Sequence, residues 1–283
     1  QYKYAISLNA DRFSVAYDHL GLFLQKRKKF KEAEKYYQKY SSLEPIKPSE
    51  MTSRGDFLFS QGNFKNALDI FDSYDTITSR ARALETLYAM GRIEDIYKRI
   101  EDRSSVDGEN IRISAISAFL TKQRNKNTAH KFCNNPLGFL NISNISSHVQ
   151  DVELFAIGVI NELNNVKTTW ELNTTQNGFQ ARSNIFKNPL GKLKHLKSII
   201  VNELISYYSR YKEEQCTYIS KWPSETNLSG WHVILKPQGH QTAHIHPNGW
   251  LSGVVYLKVV PSLGKKEGAI EFSLNGPNYF DDK

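Results

Sequence analysis

Cysteine is nearly absent from this sequence: Cys133 and Cys216 are the whole complement. Two thiols so far apart read as solitary and reduced, which excludes a disulfide-stapled mini-protein and fits a cytoplasmic protein. Long hydrophobic runs are missing too. No stretch nears the roughly 18 consecutive apolar residues of a membrane-spanning helix, so none is expected. The N-terminus, Gln1-Tyr2-Lys3-Tyr4, has no basic segment followed by an apolar one and no small-residue cleavage site, so it does not read as a signal peptide. It also lacks a start Met, and the chain reads as beginning inside a longer one. With no secretion signal, the sequons at Asn141, Asn144, Asn173 and Asn227 read as chance.

What is present has ordinary globular proportions. Hydrophobic residues make up 40% and charged residues 23%, which excludes a disordered tail or a collagen. At about 100–200 residues per domain, 283 residues suggest two domains or one large one. The 37 basic and 29 acidic residues leave a net charge of +8, unevenly spread. Lys26, Arg27, Lys28, Lys29, Lys31, Lys35 and Lys39 crowd one segment; Lys187, Lys192, Lys194 and Lys197 crowd another. Such patches suit phosphate neutralisation or are solvated helix faces. Glu32 and Glu34 interrupt the first, and no nucleic-acid motif accompanies either, so solvated faces are the reading adopted.

The first half repeats. Gly21, Ala33 and Tyr37 recur 34 positions later as Gly55, Ala67 and Phe71. Leu20, Gly21 and Leu24 share one face of a first helix, where glycine lets a neighbour come close. Ala33 and Tyr37 share a face of a second, at i and i+4. Pro45 ends that second helix, and Gly62 punctuates the turn in the next copy. A degenerate third copy carries Leu84, Leu87, Tyr88, Gly91 and Ile96, and a further helix pair is expected at Ile111–Leu120 and Asn127–Phe132. With Tyr17, Phe59 and the residues above, this half resembles tetratricopeptide (TPR) repeats. Upstream, residues 4–10 resemble the second helix of an earlier copy; one unit cannot bury its face alone, so an earlier first helix is expected. The resemblance implies either a surface for a protein or peptide partner or a scaffold for the following domain.

Near Asn135 the turn-rich Asn134-Asn135-Pro136-Leu137-Gly138 marks a break. Helical spacing continues in Asp151–Leu163 and Leu190–Tyr211. From Trp222-Pro223 onward the pattern turns strand-like, with runs at Trp231–Lys236, Leu251–Lys258 and Gly268–Phe272. His232, His240, His244 and His246, four of the eight histidines, fall here. On a strand, His244 and His246 would project from one face, as a metal-holding pair at a strand end or as a hydrogen-bonded surface pair. Imidazole suits iron, zinc, copper or nickel, so spacing alone does not choose the metal.

The string from Trp231 to Lys258, with His244-Ile245-His246-Pro247 and Ser252-Gly253-Val254-Val255-Tyr256, resembles the 2-oxoglutarate/Fe(II) oxygenases with a His-x-His-Pro…Ser-Gly-x-x-Tyr signature. Asn177–Gln180 and Asn184–Phe186 resemble that family's N-terminal part. The resemblance implies an α + β chain. A TPR-like helical solenoid would occupy 1–137, and a double-stranded β-helix (jelly-roll) domain 138–283, with a helical lead-in over 138–215 and an incomplete β core over 216–283. It implies Fe(II), 2-oxoglutarate and O₂, with His244 as first metal ligand and His246 where the family places a carboxylate. A three-histidine site, or a second-sphere His246 with water completing the sphere, are the two options. Tyr256, Gln241 and Trp231 are the cofactor-binding candidates, Tyr256 with a core role as its alternative; Ser252-Gly253 would serve close strand packing. After Tyr256 there are 27 residues and no histidine, so the distal ligand and the basic residue for 2-oxoglutarate are not found; Asp281 and Asp282 stand at a polar end. The chain therefore reads as an interior portion of a longer protein: a dioxygenase with a protein-interaction module and no membrane partner, with nucleic-acid binding by the basic clusters the least favoured of its rivals. A non-catalytic scaffold with a degenerate jelly roll, or a cupin-like protein with another metal, are the rivals.

Overall fold

A computed structural model of the chain describes residues 14–41, 48–261, 264 and 267–280. The expected helix at residues 4–10, Pro45, Asp281 and Asp282 lie outside them. Two compact units divide at Ile116/Ser117.

The first unit is built from helix pairs: α1 (Ser14–Lys26) with α2 (Phe30–Ser41), α3 (Pro48–Ser60) with α4 (Phe64–Ser73), α5 (Ile77–Ala89) with α6 (Ile93–Asp102), and the start of α7 (Ile111–Arg124). The 34-residue period has a packing cause. A Cβ on Gly21 would sit 2.8 Å from Cε1 of Tyr37, and one on Gly55 would run into the ring of Phe71. In both pairs the missing side chain is the socket for a buried aromatic four residues after a fully buried alanine, Ala33 or Ala67. The Tyr37 hydroxyl, carried into this interior, donates to Gln25 Oε1 at 2.9 Å. Leu84, Leu87 and Ile96 of the third copy are buried in the same way.

The turns follow one scheme, with one exception. Gly62 and Gly91 stand at φ +73° and +72°, and each closes its helix by donating its N–H to the carbonyl three residues back, at 2.9 Å. The first pair has Lys28 there instead, at φ 58°. A side chain in that left-handed region costs about 1 kcal/mol relative to glycine. Lys28→Gly should therefore raise unfolding stability by about 0.5–1 kcal/mol, read from the urea midpoint of the full chain. No change, or a loss, would show that the lysine stem makes up the difference.

The second unit opens inside α7, whose C-terminal half belongs to it; the break at Asn134–Gly138 lies well within this unit. The helix expected at Asn127–Phe132 is not formed. Asn125, at φ 50°, ends α7; His130 N–H then donates to the Thr128 hydroxyl at 3.2 Å instead of to a carbonyl four residues back, and the carbonyls of Lys131 and Phe132 accept from Thr217 and Tyr218 N–H. Two 3₁₀ turns, Pro136–Phe139 and Ile145–Ser147, lead to α8 (Val152–Leu163), which Asp151 caps by accepting from Leu154 N–H at 2.8 Å. Both longer helices expected here are present, the second as α9 (Gly191–Tyr211). Phe155, Val159 and Leu163 of α8 pack with Leu193, Leu196 and Ile199 of α9 and with Phe186.

Strands β1 (Thr168–Trp170), β2 (Thr175–Ala181) and β3 (Val233–Gln241) form an antiparallel sheet in that order. The β2–β3 register shifts between Gln176 and Gly178. Asn177 (φ 48°) and Gln238 (φ 64°) take up the irregularity, and Asn177 Nδ2 donates to the Pro237 carbonyl at 2.7 Å. The unit is thus mixed helix and sheet. Leu251–Lys258 and Gly268–Phe272, expected as strands, lie outside the sheet: among the described residues no strand flanks them to exchange ladder hydrogen bonds, and Val254, Val255 and Phe272 are exposed. No helix among the described residues is long and apolar enough to cross a membrane.

Candidate functional site

His244 and His246 follow the C-terminal end of β3, in a segment without regular structure. The strand expected to carry them stops at Gln241, so alternation along a strand does not bring them together; a set of hydrogen bonds does. Thr242 N–H donates to the Thr174 carbonyl at 3.0 Å, holding the segment to the start of β2. The Thr242 carbonyl, in turn, lies 2.6 Å from Nδ1 of His244. A carbonyl only accepts, so Nδ1 carries the proton and Nε2 of a neutral His244 keeps its lone pair. That lone pair meets Nε2 of His246 at 3.2 Å.

This spacing suits a shared ion. With metal–nitrogen bonds of about 2.1 Å, two nitrogens 3.2 Å apart subtend about 100° at the metal, between octahedral and tetrahedral angles. An Nδ1–H anchored on a backbone carbonyl is the outer contact that usually fixes a metal-binding imidazole. Burial, and then the neighbouring His244 imidazole, hold His246 below the usual histidine range, towards the neutral form that ligates. The residues present fit two adjacent ligands of one ion. Among the described residues there is no group of three or more His, Cys, Asp and Glu side chains that could complete the set.

Trp231 lies against His246, ring centroids 5.5 Å apart. With the amide of Gln180 oriented to satisfy its neighbours, the indole N–H of Trp231 donates to Gln180 Oε1 at 3.2 Å, and Gln180 Nε2 donates to Thr175 Oγ1 at 2.7 Å and to the Leu172 carbonyl at 3.2 Å. Gln241 Nε2 reaches the same Thr175 hydroxyl at 3.3 Å. Trp231 and Gln241 are thus linked through two buried residues of β2, neither of which was a site candidate from sequence. Tyr256 is 49% exposed, outside the core, and joins neither the pair nor this network by any described contact. His240 is exposed on β3, and His232 is half-buried, held below the usual histidine range by burial. Neither joins the pair by a described hydrogen bond.

Four residues after His246, Trp250 Nε1–H donates to the Tyr218 carbonyl at 3.0 Å, and its ring meets Phe132 edge-on at 5.1 Å. Tyr218 donates to the Tyr207 hydroxyl at 3.0 Å, and Tyr207 to the Phe139 carbonyl at 2.9 Å. Cys133 sits beside this cluster, where burial pushes its thiol up to about 12; it is neither a thiolate ligand nor a nucleophile there. The cluster fixes the chain within four residues of His246.

Residues 229–279 match the family model described as "Putative 2OG-Fe(II) oxygenase". The match contains both histidines, Trp231, Gln241 and Tyr256, and leaves β1, β2 and all the long helices outside it. This segment is therefore similar, at family level, to oxygenases that use iron and 2-oxoglutarate. No curated protein and no solved structure matches the chain.

Proposed function

We propose that this chain is part of an Fe(II)- and 2-oxoglutarate-dependent dioxygenase, a hydroxylase by reaction class, working in the cytoplasm and carrying a TPR-like module for a protein or peptide partner. The observation that carries the reading is the 3.2 Å approach of the two Nε2 atoms, inside the one segment similar to iron oxygenases. Bound iron would couple oxidative decarboxylation of 2-oxoglutarate to insertion of oxygen into a substrate C–H bond. His244 and His246 would supply two neutral ligands. The Thr242 carbonyl would keep His244 in the ligating tautomer, and Trp231 would cover one face of His246. Two neutral imidazoles leave the ion's full charge for anionic partners, which suits a bidentate 2-oxo acid. Trp231, Gln241 and Tyr256 are the residues proposed for the co-substrate side.

The TPR-like reading of the first unit rests on the repeated glycine–aromatic socket and its 34-residue period. The jelly-roll reading rests on the family match alone. The two free thiols support the cytoplasmic placement.

Anaerobic Fe(II) titration followed by 2-oxoglutarate turnover, on the complete protein of which this chain is proposed to be part, tests the reading. Wild-type protein should bind iron and form succinate, and His244→Ala should weaken metal binding at least about 100-fold. No metal-dependent succinate, together with His244→Ala indistinguishable from wild type, would leave the scaffold reading. Tight binding of a different metal without 2-oxoglutarate consumption would favour the cupin-like one.

A further inference from the structure

Gln180 is a polar side chain only 4% exposed, in a strand outside the matched segment. Its carboxamide meets three groups of different kinds: the indole N–H of Trp231, which only donates; the Leu172 carbonyl, which only accepts; and the Thr175 hydroxyl, itself fully buried. One acceptor and two donors on the same planar end, at that reach from the backbone, describe a glutamine and no apolar residue. An apolar side chain there would take away the acceptor of the indole N–H and leave the Thr175 hydroxyl with its bond from Gln241 alone.

β2 holds the two imidazoles by separate routes. At its start, the carbonyl of the preceding Thr174 accepts from Thr242, whose own carbonyl fixes His244. Towards its end, Gln180 fixes Trp231, which packs on His246. Gln241, bonded to Thr175, ties the two routes together.

We infer that Gln180 is a positioning residue for the histidine pair: through the Trp231 indole N–H it sets the ring of His246, so that β2 belongs to the site although it lies outside the segment that resembles the oxygenases. The inference rests on the reading of the pair as metal ligands.

Two measurements on the full 283-residue chain test it. In metal-free protein, the His246 Cε1–H resonance, identified by its loss in His246→Gln, senses the Trp231 ring current. It should shift in Gln180→Met and in Trp231→Phe, which keeps an aromatic ring but loses the N–H. In the second measurement Co(II) is the probe, followed by its visible absorption. Each variant should weaken Co(II) binding about 10–100-fold, with the double variant no worse than either single one.

An unmoved His246 resonance and wild-type Co(II) affinity in Gln180→Met would overturn the inference. Should that variant not fold, the Co(II) affinity of Trp231→Phe, at a residue 40% exposed, carries the test. Wild-type protein that binds no Co(II), but whose His246 resonance moves in both variants, would overturn the metal reading and leave the positioning role standing.

Discussion

Phe71→Ala should destabilise the first unit by about 3–5 kcal/mol, the usual cost of emptying a buried aromatic site. Phe71 is 2% exposed and its ring lies over Gly55, on the neighbouring helix of its pair. The sharper expectation concerns the glycine. In the wild type, Gly55→Ala drives a methyl group into the Phe71 ring and should cost about 1–3 kcal/mol. In the Phe71→Ala background that collision is gone, and only the better helix propensity of alanine remains, so the same change should stabilise by up to about 1 kcal/mol. Urea unfolding of the four proteins, followed by far-UV circular dichroism, gives the cycle. Additive effects would mean that the two residues do not share a socket, and the packing account of the 34-residue period would fail.

Arg80→Met should cost about 3–5 kcal/mol, because it removes a cation that bonds both oxygens of a buried carboxylate. Arg80 Nε donates to both oxygens of Asp107, at 3.0 and 2.9 Å, while Nη1 reaches the Asp75 side chain at 2.9 Å. The Asp107 side chain is 4% exposed. It also accepts from Asn110 Nδ2 at 3.1 Å, and Asn110 bonds the Ile77 carbonyl at the start of α5. Removing one charge breaks this junction; removing both need not. Arg80→Met with Asp107→Leu should recover most of the loss, since no charge is then stranded. A single-variant loss below about 1 kcal/mol would place the pair with ordinary surface ion pairs instead.

The helical half was legible because its chemistry repeats. Gly21, Ala33 and Tyr37 state one packing solution and Gly55, Ala67 and Phe71 state it again, so the period carries the geometry. The histidine pair was also legible as a pair, but for the wrong local reason. His244 and His246 were expected to share a strand face, whereas they converge in an irregular segment because Thr174 and Thr242 anchor it. The supporting residues were not legible. Thr175 and Gln180 are five apart, which in a regular strand puts them on opposite faces. The left-handed residue Asn177 and the register shift beside it change the phase, and both end up buried and bonded to each other. No alternation pattern encodes a bulge whose residue is asparagine. The expected strands at Leu251–Lys258 and Gly268–Phe272 show the opposite failure: β-rich composition states a preference, but a strand also needs a neighbour.

The ion pairs that join one helix pair to the next bear on how the chain is made. Asp56 with Arg82, Asp72 with Arg99, Asp75 with Arg103 and Arg80 with Asp107 span 26, 27, 28 and 27 residues. None reaches further along the chain than its neighbouring repeat. Loop closure therefore stays cheap at every step, and each of these latches can close once the next hairpin has been synthesised. On the ribosome this half can assemble behind the exit tunnel one hairpin at a time, without waiting for residues still to be translated. The histidine site has no such freedom: Thr174 and Gln180 must wait for Trp231, Thr242 and His246 to emerge, some sixty residues later.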